Sequence, residues 1–365
     1  MDFITPDEYL PKLHKGIDYS KYGIGLIGCG NIANQAHLPA YKKMGLNVVA
    51  CCDVNESAAK STAEKFDIPF WTTDVDRLVE NEKVQIFDLA IHPHVRTDVL
   101  RAIGKTPRPV LCQKPLAVNL SEAYTLGRLA KELNITLGIN QQARFAPEHK
   151  AIDLLLSRGI VGEIYAIQHH MRSFQDQQGW WWTTMRNFNI VDHGIHYVDL
   201  CRHWSKFATQ SDSWTRLQCT TAMLPGQNSV DPLIYSANIE FGAVGGRNHL
   251  MANLYFNNIV RANSSHHYNW WIDGTEGSIR GSHDRLQISL ASEPNTWREV
   301  KIKGSWFPDG FASSMIDFIT RVAQGKTPGV TVEDNYDTIA MTTAMVMSSE
   351  LGRVVERDEV FQLYN

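Results

Sequence analysis

Residues 23–33 read Gly-Ile-Gly-Leu-Ile-Gly-Cys-Gly-Asn-Ile-Ala, so Gly28-x-Gly30-x-x-Ala33 follows an apolar run and opens a helical segment. Each small residue there has a job. Gly28 allows the tight turn, Gly30 lets the backbone approach a pyrophosphate, and Ala33 permits close helix–strand packing. The amides of Asn31 and Ile32 then begin a helix over Ile32–Met44, whose N-terminal dipole favours an anion. Gly45 is placed to cap that helix. A second apolar run, Asn47–Cys52, leads to Asp53, 25 residues after Gly28. An acid at that strand end accepts hydrogen bonds from an adenosine ribose, and its charge repels a 2′-phosphate. No Lys or Arg follows in Val54-Asn55-Glu56. The cofactor expected is therefore NAD rather than NADP.

The next segments extend the pattern. Helices are expected over Glu56–Phe66, Thr97–Ile103 and from the Asn119 cap to about Leu133. Strands are expected over Ile86–Ile91, Pro109–Cys112 and Ile135–Ile139. Strands alternating with helices imply β-α-β units and a doubly wound parallel sheet, a Rossmann domain. After Pro147 the grammar changes. A helix over Glu148–Ser157, a strand over Ile164–Arg172 and a helix over Asn189–Trp204 precede mostly strands over 214–303. That order predicts a large open, mostly antiparallel sheet with helices on one face, closed by helices over Phe311–Ala323 and Asn335–Arg353. The division expected is residues 1–145, with 1–20 an N-terminal extension, and residues 146–365, with the closing helices able to pack back on the first domain.

Composition removes several classes. At 365 residues, 43% hydrophobic and 20% charged, the chain reads as a globular protein of two domains. A net charge of -4 gives no basic footprint for nucleic acid. No apolar run reaches membrane-spanning length, and the N-terminus lacks the pattern of a secretory signal. The six cysteines form no C-x-x-C pair, and a reduced cytoplasmic protein is the reading.

Two later motifs sharpen the picture. Lys114-Pro115 follows the Pro109–Cys112 strand, and Asp192-x-Gly194-x-His196 lies on the Asn189–Trp204 helix. With the glycine turn, with Asn140–Pro147 (Asn-Gln-Gln-Ala-Arg-Phe-Ala-Pro) and with Asp273–Ile279, the chain resembles the Gfo/Idh/MocA oxidoreductases over nearly its whole length. That resemblance implies nicotinamide-linked oxidation or reduction of sugars, inositols and related hydroxyl compounds. It sets Lys114, Asp192 and His196 at the catalytic positions. It also draws attention to three departures: Gln113 stands where the family usually has Glu, His92-Pro93 where it often has Thr-Pro, and Arg186-Asn187-Phe188-Asn189 where it has a glycine-rich run.

Alcohol oxidation needs a base for the hydroxyl proton and charge beside the developing alkoxide. An imidazole titrates near pH ~6.5, which suits His196 to the first task. Lys114 suits the second, and Asp192 can hold a substrate hydroxyl or orient its neighbours. The cofactor-binding set is Gly28, Gly30, Asn31, Ile32, Asp53, His92, Pro93, Gln113 and Lys114. The substrate-binding set is Arg172, Trp180, Trp181, Asn187 and His193, with the tryptophans offering aromatic faces to a sugar. The histidines lack cysteine partners at ligand spacing, so no metal is expected. The expectation is an NAD-dependent dehydrogenase acting on a secondary ring hydroxyl of a sugar, a glycoside (at C3) or an inositol, forming homo-oligomers through its C-terminal sheet. A redox-neutral glycoside-processing enzyme with retained NAD and a non-catalytic NAD sensor are the rivals.

Overall fold

The computed structural model describes residues 3–208, 213–244, 247–282 and 285–364; the strand-rich stretch expected over 214–303 thus includes residues 245, 246, 283 and 284, which lie outside the described ones. The chain divides into two compact units. The first comprises Leu10–Pro147 and Gly304–Tyr336, and the second Glu148–Lys303 and Asp337–Asn365 with the first nine residues.

The first unit holds six strands: β1 (Ile24–Ile27), β2 (Val48–Cys52), β3 (Trp71–Thr72), β4 (Ile86–Leu89), β5 (Val110–Gln113) and β6 (Leu137–Asn140). All pairs are parallel, in the order β3-β2-β1-β4-β5-β6, the order of a doubly wound dinucleotide fold. β1, β4, β5 and β6 are buried at every position, as a sheet covered on both faces requires. The short β3 and the helix Val75–Val79 were not expected, because neither is long enough to show a period. The helix expected over Ile32–Met44 is widened into a π turn at Ala33–His37 before regular helix resumes at Leu38–Met44, with Gly45 in the left-handed cap conformation at φ 66°. Asn119 caps its helix by accepting from the Glu122 amide at 3.0 Å.

One closing helix groups with the first unit, and the N-terminal residues group with the second. Helix Phe311–Ala323 belongs to the first unit, where Phe311, Met315, Ile316, Phe318 and Ile319 join the core around Ile24, Leu26, Tyr41, Ile86 and Leu111. Each such side chain contributes about 1.5–3 kcal/mol on burial, which fixes the segment where its apolar stripe finds a partner. Residues 3–9, expected as part of a first-domain extension, group with the second unit. The Tyr9 hydroxyl accepts from the Lys303 amide at 3.0 Å, and Arg158 bonds the Phe3 carbonyl and Glu8.

The second unit holds β7 (Ile164–Arg172), β8 (Trp214–Ala222), β9 (Ile234–Val244), β10 (Arg247–Asn257), β11 (His267–Gly274), β12 (Gly277–Gly281), β13 (Leu286–Leu290), β14 (Arg298–Val300) and β15 (Val355–Glu356). They form one sheet in the order β14-β13-β12-β11-β7-β10-β9-β8-β15. β7 and β10 pair parallel and every other pair is antiparallel. Alternation sorts β7. Ile167, His169 and Met171 are buried, whereas Gln168 is exposed and His170 and Arg172 are half-buried. The inner face meets helix Ile195–Ser205, since His169 packs against Tyr197 and Trp204. All six cysteines are buried free thiols. Among the described residues no helix is long and apolar enough to cross a membrane.

Candidate active site

In the first unit, the chain leaves β1 through Gly28, whose φ is 97°. A Cβ there would meet the Ala90 carbonyl oxygen at 2.5 Å and Ile91 Cγ2 at 2.8 Å, so both backbone angle and packing demand glycine. Gly30 differs, because a Cβ there would meet nothing within 4 Å. The protein's own packing leaves that side of the turn open for a ligand to approach. Asn34 Nδ2 donates to the carbonyls of Cys29 at 2.9 Å and Gly30 at 3.2 Å, holding the turn closed. The amides of Asn31 and Ile32 open the following helix, where no intrahelical acceptor exists.

Asp53 stands directly after β2. Its Oδ2 accepts from the Cys29 amide at 2.8 Å and its Oδ1 from the Asn55 amide at 2.9 Å. A carboxylate offers about four lone-pair sites, so both oxygens retain capacity for ribose hydroxyls. The open glycine, the helix amides and this anchored carboxylate fit a dinucleotide.

The loops after β4 and β5 carry the other first-unit candidates. His92 and Pro93 open the turn after β4, and the His92 ring stacks on His94. Gln113 ends β5 with its Oε1 accepting from the Lys114 amide at 3.2 Å, and the Lys114–Pro115 peptide bond is cis. Arg96, 1% exposed, joins these loops: it donates to the carbonyls of Ile91 at 2.7 Å, of Leu116 at 2.9 Å and of Pro115. Sequence reading passed over Arg96 because an arginine at a helix start looks like a solvated residue.

In the second unit, the segment carrying Asp192 and His196 is not the regular helix expected. It begins as a π turn, Asn189–Gly194, and becomes α-helix at Ile195–Ser205. Such bulges recur at functional sites. Gly194 sits at the junction, and a Cβ there would meet the Asn189 carbonyl oxygen and the Tyr235 hydroxyl, each at 2.8 Å. Asp192 is half-buried and His196 is 8% exposed. Behind them Arg202 Nε donates to Thr338 Oγ1 at 3.1 Å, and Thr338 donates to Asp199 at 2.7 Å. His169 bonds the Tyr268 hydroxyl at 2.9 Å. Burial, reinforced by nearby His149, pushes the His169 imidazole down to about 3, so it is neutral at working pH.

Asn187 adopts φ 53°, a left-handed conformation that asparagine tolerates better than most residues. That explains how it serves in a run where glycine was the pattern. Its carbonyl accepts from the amides of Ile190 and Val191, each at 2.9 Å, and its amide donates to Asp231 at 2.5 Å. The loop between β8 and β9 braces this whole stretch. Asp176, 2% exposed, accepts from the amides of Asn228 and Ser229 at 2.9 Å, and the Val230 amide donates to the Thr183 carbonyl at 2.8 Å. Trp182 is the inner tryptophan, donating to the Gln175 carbonyl at 2.7 Å and stacking on Phe188. Trp180 rests on Trp182 with centroids 4.3 Å apart, and Trp180 and Trp181 remain 43% and 44% exposed.

Arg172 does not join this group. The alternation of β7 turns it to the face opposite His169, where it donates to Ser265 Oγ at 2.9 Å. His193 does join it, with its ring beside Phe188 and its Nδ1 3.1 Å from Asn258 Nδ2. No local sequence signal marked Asn258, Asp176 or Asp231, whose side-chain partners lie 44 to 85 residues away. Among the described residues no group of three or more His, Cys, Asp or Glu side chains is arranged to hold a metal ion.

An open Gly-x-Gly turn with an acid at the end of β2, followed by a large mixed sheet, defines a two-domain nicotinamide oxidoreductase. Residues 22–141 match the model of an oxidoreductase family described as an NAD-binding Rossmann fold, and residues 154–356 match that family's C-terminal alpha/beta domain. The chain belongs to the Gfo/Idh/MocA oxidoreductases. It is therefore an NAD-dependent oxidoreductase of a family rich in sugar dehydrogenases. It is 23% identical over 356 residues to D-apiose dehydrogenase of Paraburkholderia graminis, covering 91% of this chain and 88% of that one. It is 24% identical over 181 residues to D-glucoside 3-dehydrogenase of Escherichia coli, covering 48% of this chain and 52% of that one. An Agrobacterium radiobacter oxidoreductase, solved in complex with NAD+, L-tartaric acid and magnesium, shares the fold with a TM-score of 0.80 at 21% identity, over 93% of this chain and 99% of the other.

Proposed function

We propose that this enzyme oxidises a secondary ring hydroxyl of a sugar, glycoside or inositol, at C3 where the substrate is a glycoside. The supporting observation is the half-buried Asp192 and buried His196, four residues apart at a π-to-α junction. Relatives that act on D-apiose and on D-glucosides agree with that substrate class.

Gly28, Gly30, Asn31, Ile32 and Asp53 would hold the pyrophosphate and ribose, with His92, Pro93, Gln113 and Lys114 towards the nicotinamide end. Bound NAD supplies the acceptor for the hydride that leaves the substrate carbon. His196 takes the hydroxyl proton, a step that general-base catalysis accelerates by about 10²–10⁴-fold. Lys114 contributes positive charge where the alkoxide develops. Asp192 accepts a hydrogen bond from a neighbouring substrate hydroxyl. Trp180 and Trp181 offer aromatic faces to the C–H face of a ring or to an aromatic aglycone, with Asn187 and His193 as polar contacts. The outward face of the second sheet, with Met251 50% exposed, supports self-association through that sheet.

The test is a panel of polyols, sugars and glycosides assayed for NADH formation, with NADP as the alternative cofactor. The reading expects NADH in step with a ketone product and a clear kcat/KM preference for NAD. Product without net NADH would favour the redox-neutral rival. NAD binding with no turnover across the panel would favour the sensor.

A further inference from the structure

Asn258 lies one residue past β10, fully buried, and every polar atom it owns is engaged. Its amide donates to the Leu233 carbonyl at 2.9 Å, and its carbonyl accepts from the Gln175 amide at 2.8 Å. Its side-chain Oδ1 accepts from Ser173 Oγ at 2.7 Å. Its Nδ2 donates to Asn189 Oδ1 at 2.5 Å and to His193 Nδ1 at 3.1 Å. With Oδ1 set against Ser173, both Nδ2 hydrogens face the π turn.

We infer that Asn258 is a positioning residue that holds His193 in its Nε2–H tautomer, making His193 a neutral hydrogen-bond donor to a substrate oxygen. A neutral imidazole carries one N–H, so an Nδ1 that accepts leaves the proton on Nε2. Phe188, Tyr197 and Phe256 surround the ring with centroids 5.8 to 6.3 Å away, which hinders a ring flip. Two histidines three residues apart thereby take different parts, His196 accepting a proton and His193 donating a hydrogen bond. The oxygen addressed is a hydroxyl or ether oxygen of the substrate. The substrate role of His193 rests on the function proposed above, whereas its tautomer does not.

The test uses the NAD-loaded enzyme with ¹⁵N-labelled histidine and two-bond ¹H–¹⁵N correlation spectra, the His193 signals being assigned by their loss in His193→Gln. Wild type shows the Nε2–H pattern. Asn258→Asp, which puts an acceptor where a donor stood, moves the proton to Nδ1. An Nδ1–H pattern in wild type, with the amides of Asn189 and Asn258 both reversed, overturns the inference. So does a folded Asn258→Asp with an unchanged tautomer. The substrate role is read from kinetics. His193→Leu raises KM by about 10–100-fold with little change in kcat, and His193→Gln, which keeps an N–H donor, restores most of the affinity. An unchanged KM in His193→Leu overturns the donor role while leaving the tautomer result standing. Absence of sugar turnover in wild type removes only the function on which that role rests.

Discussion

Gly28 and Gly30 belong to one turn, yet replacing each by alanine gives opposite signatures. At Gly28 the new Cβ meets a backbone oxygen at 2.5 Å in a backbone with φ 97°. Left-handed strain costs about 1–2 kcal/mol for a non-glycine residue, and forcing extra volume into packed surroundings adds roughly 1–3 kcal/mol. Gly28→Ala therefore loses about 2–5 kcal/mol, or roughly 3–7 °C in melting temperature for a chain of 365 residues. At Gly30 the Cβ enters open space, so Gly30→Ala leaves the melting temperature of the NAD-free protein within about 1 °C of wild type. If the open space is where the pyrophosphate lies, the same methyl blocks its approach. Each tenfold loss of NAD affinity corresponds to about 1.4 kcal/mol, and a loss of tenfold or more is expected. Differential scanning fluorimetry with and without NAD, plus calorimetric titration, reads both effects. A Gly30→Ala protein that binds NAD as tightly as wild type refutes the reasoning, as does one that melts as low as Gly28→Ala.

Three further outcomes follow from buried groups. His169 has a folded pKa of about 3 because burial, and secondarily His149, disfavours its charge. Between pH 3 and an unfolded value near ~6.5 the unfolded chain binds the extra proton, so stability falls as pH falls through that window, by about 1.4 kcal/mol per pH unit. His169→Phe flattens that slope in denaturant titrations between about pH 6 and 4; an unchanged slope contradicts the assignment. Arg96→Met leaves three carbonyl acceptors without their donor and costs about 1–3 kcal/mol for each one left unpaired; a total loss below ~1 kcal/mol shows that the loops after β4 and β5 do not depend on it. Asp231→Asn weakens the brace on Asn187 and Arg186, raising KM by about three- to tenfold with kcat little changed; a fall in kcat at constant KM contradicts a purely positioning role.

How much of this was legible in the sequence differs by kind of feature. The Rossmann half declares itself locally. Gly28, Gly30 and Ala33 mark the turn, Asn119 caps its helix, Gly45 ends another, and the apolar runs fall on β1, β2, β4, β5 and β6. The π turns at Ala33–His37 and Asn189–Gly194 were not legible, since no local pattern distinguishes them from α-helix. At Gly194 the constraint comes from Tyr235, 41 residues later on β9. The stripe of Phe311, Met315 and Ile319 showed a helix with an apolar face but not which core would receive it. That Arg172 lies on the sheet face opposite His169 is not revealed by proximity in sequence to the tryptophans, because a strand reverses face at every residue. Asn258, Asp176 and Asp231 went unseen for the same underlying reason: their chemistry exists only after strands distant in sequence are paired.

The most direct trial is rapid mixing of NAD-loaded enzyme with the best substrate of the panel, following NADH in wild type and in His196→Asn. The account predicts a first-turnover rise in NADH that slows by about 10²–10⁴-fold in the variant while its NAD affinity is retained. A His196→Asn enzyme that forms NADH at the wild-type rate contradicts it.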